Sequence, residues 1–143
     1  MGLALRFAAK AYKVGEVPVG AVLVDQDGIV LATGHNSVES LSDATAHAEI
    51  VCMREAARLL GTWRLAGTTL YTTVEPCAMC LSAVQMFRVV RVVYGAPDHR
   101  LGAAGSWFNL LEHTHPFHPV TVRGGVLAGQ SAAMMRRFFR SRR

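Results

Sequence analysis

Apolar side chains recur at three- and four-residue steps from Leu3 to Val14, with Leu3, Phe7, Ala11 and Val14 on one stripe, which predicts an amphipathic helix. It starts at Met1 without a capping residue, the pattern of a helix whose first turn has been cut away. The spacing then changes. Val17 to Val24 and Ile29 to Gly34 are apolar, β-branched runs joined through Asp25-Gln26-Asp27-Gly28, and Asp-Gly between two such runs predicts a hairpin. Helical spacing returns from Ala46 to Leu60, with Asp43 or Thr45 as the expected cap. A strand over Thr68 to Thr73, a helix over Ala78 to Phe87 and a strand over Val89 to Tyr94 follow. Residues 95–106 read as a glycine-rich loop, Val120 to Val122 as a last strand and Ser131 to Arg140 as a last helix.

The element order is therefore α-β-β-α-β-α-β-loop-β-α. Val89-Val90 and Val92-Val93 show no polar alternation, which implies a strand buried on both faces. These features predict an α/β protein: one three-layer α/β/α domain over residues 1–143 with a central mixed sheet of about five strands. Composition agrees. Hydrophobic residues make up 51% and charged residues 17%, against about 25% charged in an average domain. Such a surplus suits a sheet covered on both faces, or a surface that pairs with a second subunit. No apolar run approaches the ~18 residues of a membrane span. Arg6, Lys10 and Lys13 interrupt any signal-peptide pattern at the N-terminus.

Charge changes the picture by its location. The net charge is +5, and Arg136, Arg137, Arg140, Arg142 and Arg143 fall within the last eight residues. Without them the chain is balanced, ten basic against ten acidic residues. A compact basic tail suits a polyanion such as nucleic acid; it equally suits a helix end whose dipole favours cations.

The chemistry lies in two short segments, His47-Ala48-Glu49 and Pro76-Cys77-Ala78-Met79-Cys80, each at the start of a predicted helix. Alone, a His at a helix start is most simply a polar cap, and a Cys-x-x-Cys is a redox pair or incidental. Together they form a donor set. One imidazole and two thiolates hold zinc while leaving a fourth position open. Glu49, two residues after His47, is the carboxylate placed to move protons. Two facing helix N-termini favour thiolates there. The third cysteine, Cys52, sits in an apolar helical run and reads as core packing. The odd count and the close spacing of Cys77 and Cys80 argue against a disulfide framework. His-x-Glu with Pro-Cys-x-x-Cys is a known signature of zinc-dependent nucleobase deaminases.

Further segments sharpen this. Val17-Pro18-Val19-Gly20-Ala21-Val22, Asn36, Thr45-Ala46-His47-Ala48-Glu49, Glu75-Pro76-Cys77-Ala78-Met79-Cys80, Gly95-Ala96-Pro97-Asp98, Gly102-Ala103-Ala104-Gly105-Ser106 and Phe138-Phe139-Arg140 resemble motifs of the tRNA-specific adenosine deaminases of bacterial and organellar type. The zinc motif alone indicates the cytidine deaminase-like superfamily, and the loop from Asp98 with the Phe-Phe-Arg end narrows it to the tRNA-editing branch. The resemblance covers nearly the whole chain and implies a cytidine deaminase-like fold. It implies one zinc ion per subunit on His47, Cys77 and Cys80, with Glu49 as the catalytic proton carrier. By the same resemblance Asn36 hydrogen-bonds the flipped adenine, and Val19 with Ala48 wall its pocket. Asp98 and the loop that carries Arg100 contact anticodon nucleotides, and Phe138, Phe139 and Arg140 hold the RNA. His99, Trp107, Phe108, His113, His115 and His118 are further candidates for the rim.

Arg100 stands where the family often has Lys, which keeps the charge and changes its geometry. His115-Pro116-Phe117-His118-Pro119 looks like plant and algal plastid members. The expected reaction is hydrolytic deamination of the wobble adenosine in a tRNA anticodon, with tRNA-Arg as the expected substrate and a homodimer as the expected assembly. The expected compartment is the bacterial cytoplasm or, if the plastid-like features hold, the plastid stroma. The alternative is a deaminase of free bases, nucleosides or single-stranded DNA. A third reading is an idle RNA-binding partner; it is disfavoured by Glu49, which binding alone does not need.

Overall fold

The computed structural model describes residues 1–113, 115 and 118–142. Helix α1 (Gly2–Lys13) precedes an antiparallel hairpin of β1 (Gly20–Val24) and β2 (Val30–His35). A single turn, α2 (Val38–Leu41), leads to α3 (Ala48–Leu60). Strand β3 (Thr69–Val74), helix α4 (Ala78–Met86) and strand β4 (Arg91–Ala96) form a parallel crossover. Strand β5 (Thr121–Arg123) pairs parallel to β4, and α5 (Ala128–Arg140) closes the chain. The sheet order is β2-β1-β3-β4-β5, a mixed sheet of five strands. Helices α1 and α5 cover one face, and α3 and α4 the other, which is the expected three-layer arrangement.

The main core lies between the sheet and the α3/α4 layer. Leu23, Leu70 and Val92 from the strands meet Cys52 and Met53 of α3 and Leu81 and Val84 of α4, all fully buried. Two glycines let helices lie directly on the strands. A Cβ at Gly20 would come within 2.1 Å of the Ala4 carbonyl oxygen, and one at Gly34 within 2.5 Å of that of Ala48. The second contact matters for function, because it sets the height of the His47-Ala48-Glu49 segment above the sheet.

Several boundaries differ from the sequence expectation for local reasons. Val17 to Val19 do not join β1, since Pro18 has no N–H for the ladder and the Val19 N–H bonds back to the Val17 carbonyl at 2.7 Å. Strand β4 starts at Arg91, two residues late, because Arg88 takes a left-handed φ of 65° and the Val89 N–H still bonds the Val84 carbonyl. Neither Asp43 nor Thr45 caps α3. Asp43 Oδ1 instead accepts from the Thr45 N–H and hydroxyl at 2.8 and 2.6 Å, and the extended residue before the helix is His47. The α2 turn and the 3₁₀ turn Leu110–Glu112 were not expected. Pro116 and Phe117 of the plastid-like segment and Arg143 of the basic tail lie outside the described residues.

Candidate active site

The β3–α4 junction and the approach to α3 bring the two predicted segments together. His47 and Cys77 are the extended residues immediately before α3 and α4, and Cys80 sits in the first turn of α4. His47 Nδ1 lies 3.7 Å from Cys77 Sγ and 3.5 Å from Cys80 Sγ. All three donor atoms lie within 4.8 Å of one another. Tetrahedral zinc with ordinary Zn–N and Zn–S bonds requires N···S separations of about 3.6 Å. The donor set therefore fits the metal in chemistry and in spacing, with Nδ1 as the histidine ligand. Cys52 takes no part: it is fully buried and its thiol donates to the Ala32 carbonyl at 3.4 Å.

The electrostatics suit metal binding. The hydrogen bond from Cys80, helped by His47, pulls the Cys77 thiol down to about 4 against its burial. Donating to Cys77, together with burial, drives the Cys80 thiol up. The hydrogen bond to Cys77 also raises His47. A divalent cation binds the deprotonated donors and releases any proton they carry. Glu49 is 4% exposed, and burial pushes its carboxyl above the ordinary carboxylate range. A carboxyl kept from ionising easily is suited to carry a proton at neutral pH.

His47, Glu49 and Cys77 line a cleft of about 640 Å³, in the size range of small-molecule sites, while Cys80 is fully buried and outside the lining. Val19, Asn36 and Asp98 line it, together with the exposed Arg100 and Phe139. Two buried carboxylates to which the sequence assigned no role, Glu75 having appeared only within a motif, shape its walls. Glu16, 1% exposed, accepts from the Asn36 amide at 3.0 Å and from the Ser40 N–H and hydroxyl at 2.7 Å each. Glu75, 3% exposed, accepts the backbone N–H groups of Asp98, Ala104 and Ser106 at 3.0–3.1 Å. That holds the 98–106 loop over the metal site, and a Cβ at Gly102 would strike the Glu75 carboxylate at 2.5 Å. Asp98 folds its own carboxylate back onto the Arg100 N–H at 2.9 Å. The only signal for Glu16 and Glu75 in the sequence is an acid set against an apolar motif segment, before Val17 and after Val74.

Other expectations are corrected. Phe138 is 3% exposed and packs edge-on against Tyr12 at 5.7 Å, so it joins α5 to α1 rather than meeting RNA. Phe139, one residue on, is 46% exposed and lines the cleft. Ala48 is fully buried, its carbonyl lying against Gly34, and it is absent from the cleft lining. Arg140 is exposed but outside the cleft lining, where Arg136 and Arg142 stand instead. Arg142 also bonds the Gly15 carbonyl and covers the Phe138 ring. His99, Trp107, Phe108, His113, His115 and His118 are absent from the lining; Trp107 and Phe108 pack edge-on against each other at 4.9 Å. Among the described residues His47, Cys77 and Cys80 form the one group suited to a metal.

Fold and site together define the class of zinc-dependent base deaminases. Residues 1–96 match the cytidine and deoxycytidylate deaminase zinc-binding region. The chain belongs to the family of tRNA-specific adenosine deaminases within that class. It is 46% identical to the tRNA-specific adenosine deaminase of Bacillus subtilis (strain 168), over 98% of this chain and 86% of that one. It is 49% identical to the chloroplastic tRNA(adenine(34)) deaminase of Arabidopsis thaliana over 97% of this chain, which spans only 12% of that protein's length. The solved structure of a tRNA:A34 deaminase, studied for A-to-I editing at the wobble position of transfer RNA, matches with a TM-score of 0.86 at 42% identity. That match covers 94% of this chain and 96% of the other. No described helix is long and apolar enough to cross a membrane.

Proposed function

We propose that this protein converts adenosine to inosine at the wobble position of a tRNA anticodon, acting as a single deaminase domain. The observation that carries the reading is the placement of His47, Cys77 and Glu49, with the buried Cys80 completing the donor set, in a cleft whose lining also includes Arg100, Arg136 and Arg142. A cleft with a buried floor requires the base to leave its stack, and an anticodon loop presents its bases unpaired. The arginines meet the flanking phosphates, and Phe139 offers a face on which a neighbouring base can stack.

Zinc on His47, Cys77 and Cys80 supplies a water acidified to near neutral pH. Glu49 holds the mobile proton. It delivers a proton to N1 of the ring and then to the amine at C6, so that adenosine and water become inosine and ammonia. Asn36 and Val19 orient the base, and Asp98 and Arg100 shape the contact with the adjacent nucleotide. The tRNA is an arginine isoacceptor, the assembly a homodimer, and the compartment the bacterial cytoplasm or the plastid stroma. Bacterial and chloroplastic relatives support both compartments.

A side-by-side assay tests the substrate. Turnover is expected on an anticodon stem-loop bearing wobble adenosine. Equal or better turnover of free adenosine, free guanine, cytidine or single-stranded DNA would replace this reading with the alternative one.

A further inference from the structure

We propose that Glu16 is a positioning residue that assigns the orientation of the Asn36 amide, and so decides which end of that amide the nucleoside meets. This rests on the reading of the cleft as the nucleoside site. Glu16 lies at the end of the turn after α1, where its backbone N–H bonds the Ala11 carbonyl at 2.9 Å. Its two oxygens are divided between two partners. Oε1 accepts both the Ser40 N–H and the Ser40 hydroxyl at 2.7 Å, and Oε2 accepts Asn36 Nδ2 at 3.0 Å. A carboxylate only accepts, so the nitrogen end of the Asn36 amide must face Glu16. The backbone at Asn36 is pinned as well, its N–H bonding the Val19 carbonyl at 3.0 Å. With both ends tied, Asn36 offers the cleft its carbonyl oxygen and its second N–H in one arrangement. A buried amide free to reverse would offer either arrangement, and one of them would leave a substrate polar group unpaired.

Glu16→Gln inverts this device without changing its shape. The Ser40 N–H can only donate, so the glutamine oxygen stays with Ser40 and its NH₂ turns to Asn36. Asn36 must then reverse to accept from it. The expected result on the wobble-adenosine stem-loop is a roughly tenfold fall in kcat/KM, the effect of one misplaced hydrogen bond. Zinc content should be unchanged. In an Asn36→Ala background the same substitution should change kcat/KM by no more than about twofold, because there is no amide left to orient. Ser40→Ala, which loosens α2 but leaves Glu16 ionised against Asn36, should keep kcat/KM within about twofold of wild type. The Asn36 side-chain amide resonances should shift in Glu16→Gln, a readout that needs no turnover. Wild-type kcat/KM with unshifted resonances overturns the proposal. So does an undiminished effect in the Asn36→Ala background, or an equal loss in Ser40→Ala, which would transfer the role to the anchoring of α2. Inactive wild-type protein would instead sink the substrate reading, and the resonances would still decide the role of Glu16.

Discussion

Glu75 Oε2 accepts the backbone N–H of Asp98 at 3.0 Å, across 23 residues of sequence. One residue before the Pro-Cys-x-x-Cys segment, a carboxylate therefore holds the first turn of the loop that overhangs it. Burial raises this carboxyl, but hydrogen bonds from Ser106, Asp98 and Ala104 outweigh that and hold it below its ordinary value of 4.5. Its folded pKa is depressed, so the stability it adds is complete above the unfolded value and is lost as pH falls through the folded one. Glu75→Gln should cost about 1.5–3 kcal/mol near neutral pH, as for one charged hydrogen-bond acceptor. Thermal unfolding from pH 7 to pH 3 checks this: the gap between wild type and variant should close below about pH 4.5. A gap that stays constant over that range would remove the charge from the explanation.

Zinc content is the next expectation. Purified protein should carry about one zinc per chain, as an open three-ligand site requires. A chelator should abolish turnover and lower the melting temperature together, because without the metal the donor atoms of His47, Cys77 and Cys80 stay crowded within 4.8 Å of one another with nothing to hold them. Active protein free of metal would refute the site as built here.

Glu49→Gln keeps the volume and removes the proton carrier. It should retain zinc and fold while kcat falls about 10²–10⁴-fold. Metal analysis alongside single-turnover deamination separates the two effects, and near-normal turnover would take Glu49 out of proton transfer.

The paired phenylalanines should behave oppositely. Phe138→Ala opens the α1–α5 contact and should cost about 3–5 kcal/mol of stability. Phe139→Ala should leave the melting temperature nearly unchanged and weaken stem-loop binding. Denaturant unfolding and binding titrations of the two variants test the assignment, which fails if their phenotypes are exchanged.

Removing Arg100 or Arg136 should flatten the salt dependence of stem-loop binding, by about 0.7 in log–log slope for each lost phosphate contact to a single strand. An unaltered slope would make these arginines solubilising surface rather than RNA contacts.

Much of this was legible in the chain as written. Local periodicity located nine of the elements, since burial on one stripe or on alternate positions is a local pattern. The metal donors and Glu49 were legible because a metal needs particular atoms at close quarters, and helix starts place them by short spacing. The balance of charge outside the tail was a matter of composition. What only the tertiary structure decided is which of two adjacent side chains faces which partner. Phe138 and Phe139 are the same residue type, and helical rotation alone sends one into α1 and the other to the cleft. Glu16 and Glu75 carry no local signal for their roles, because their partners lie 20–31 residues away along the chain. A hydrogen bond closed over such a distance depends on how the layers pack, so the donors of the chemistry could be read from the sequence and the groups that aim them could not.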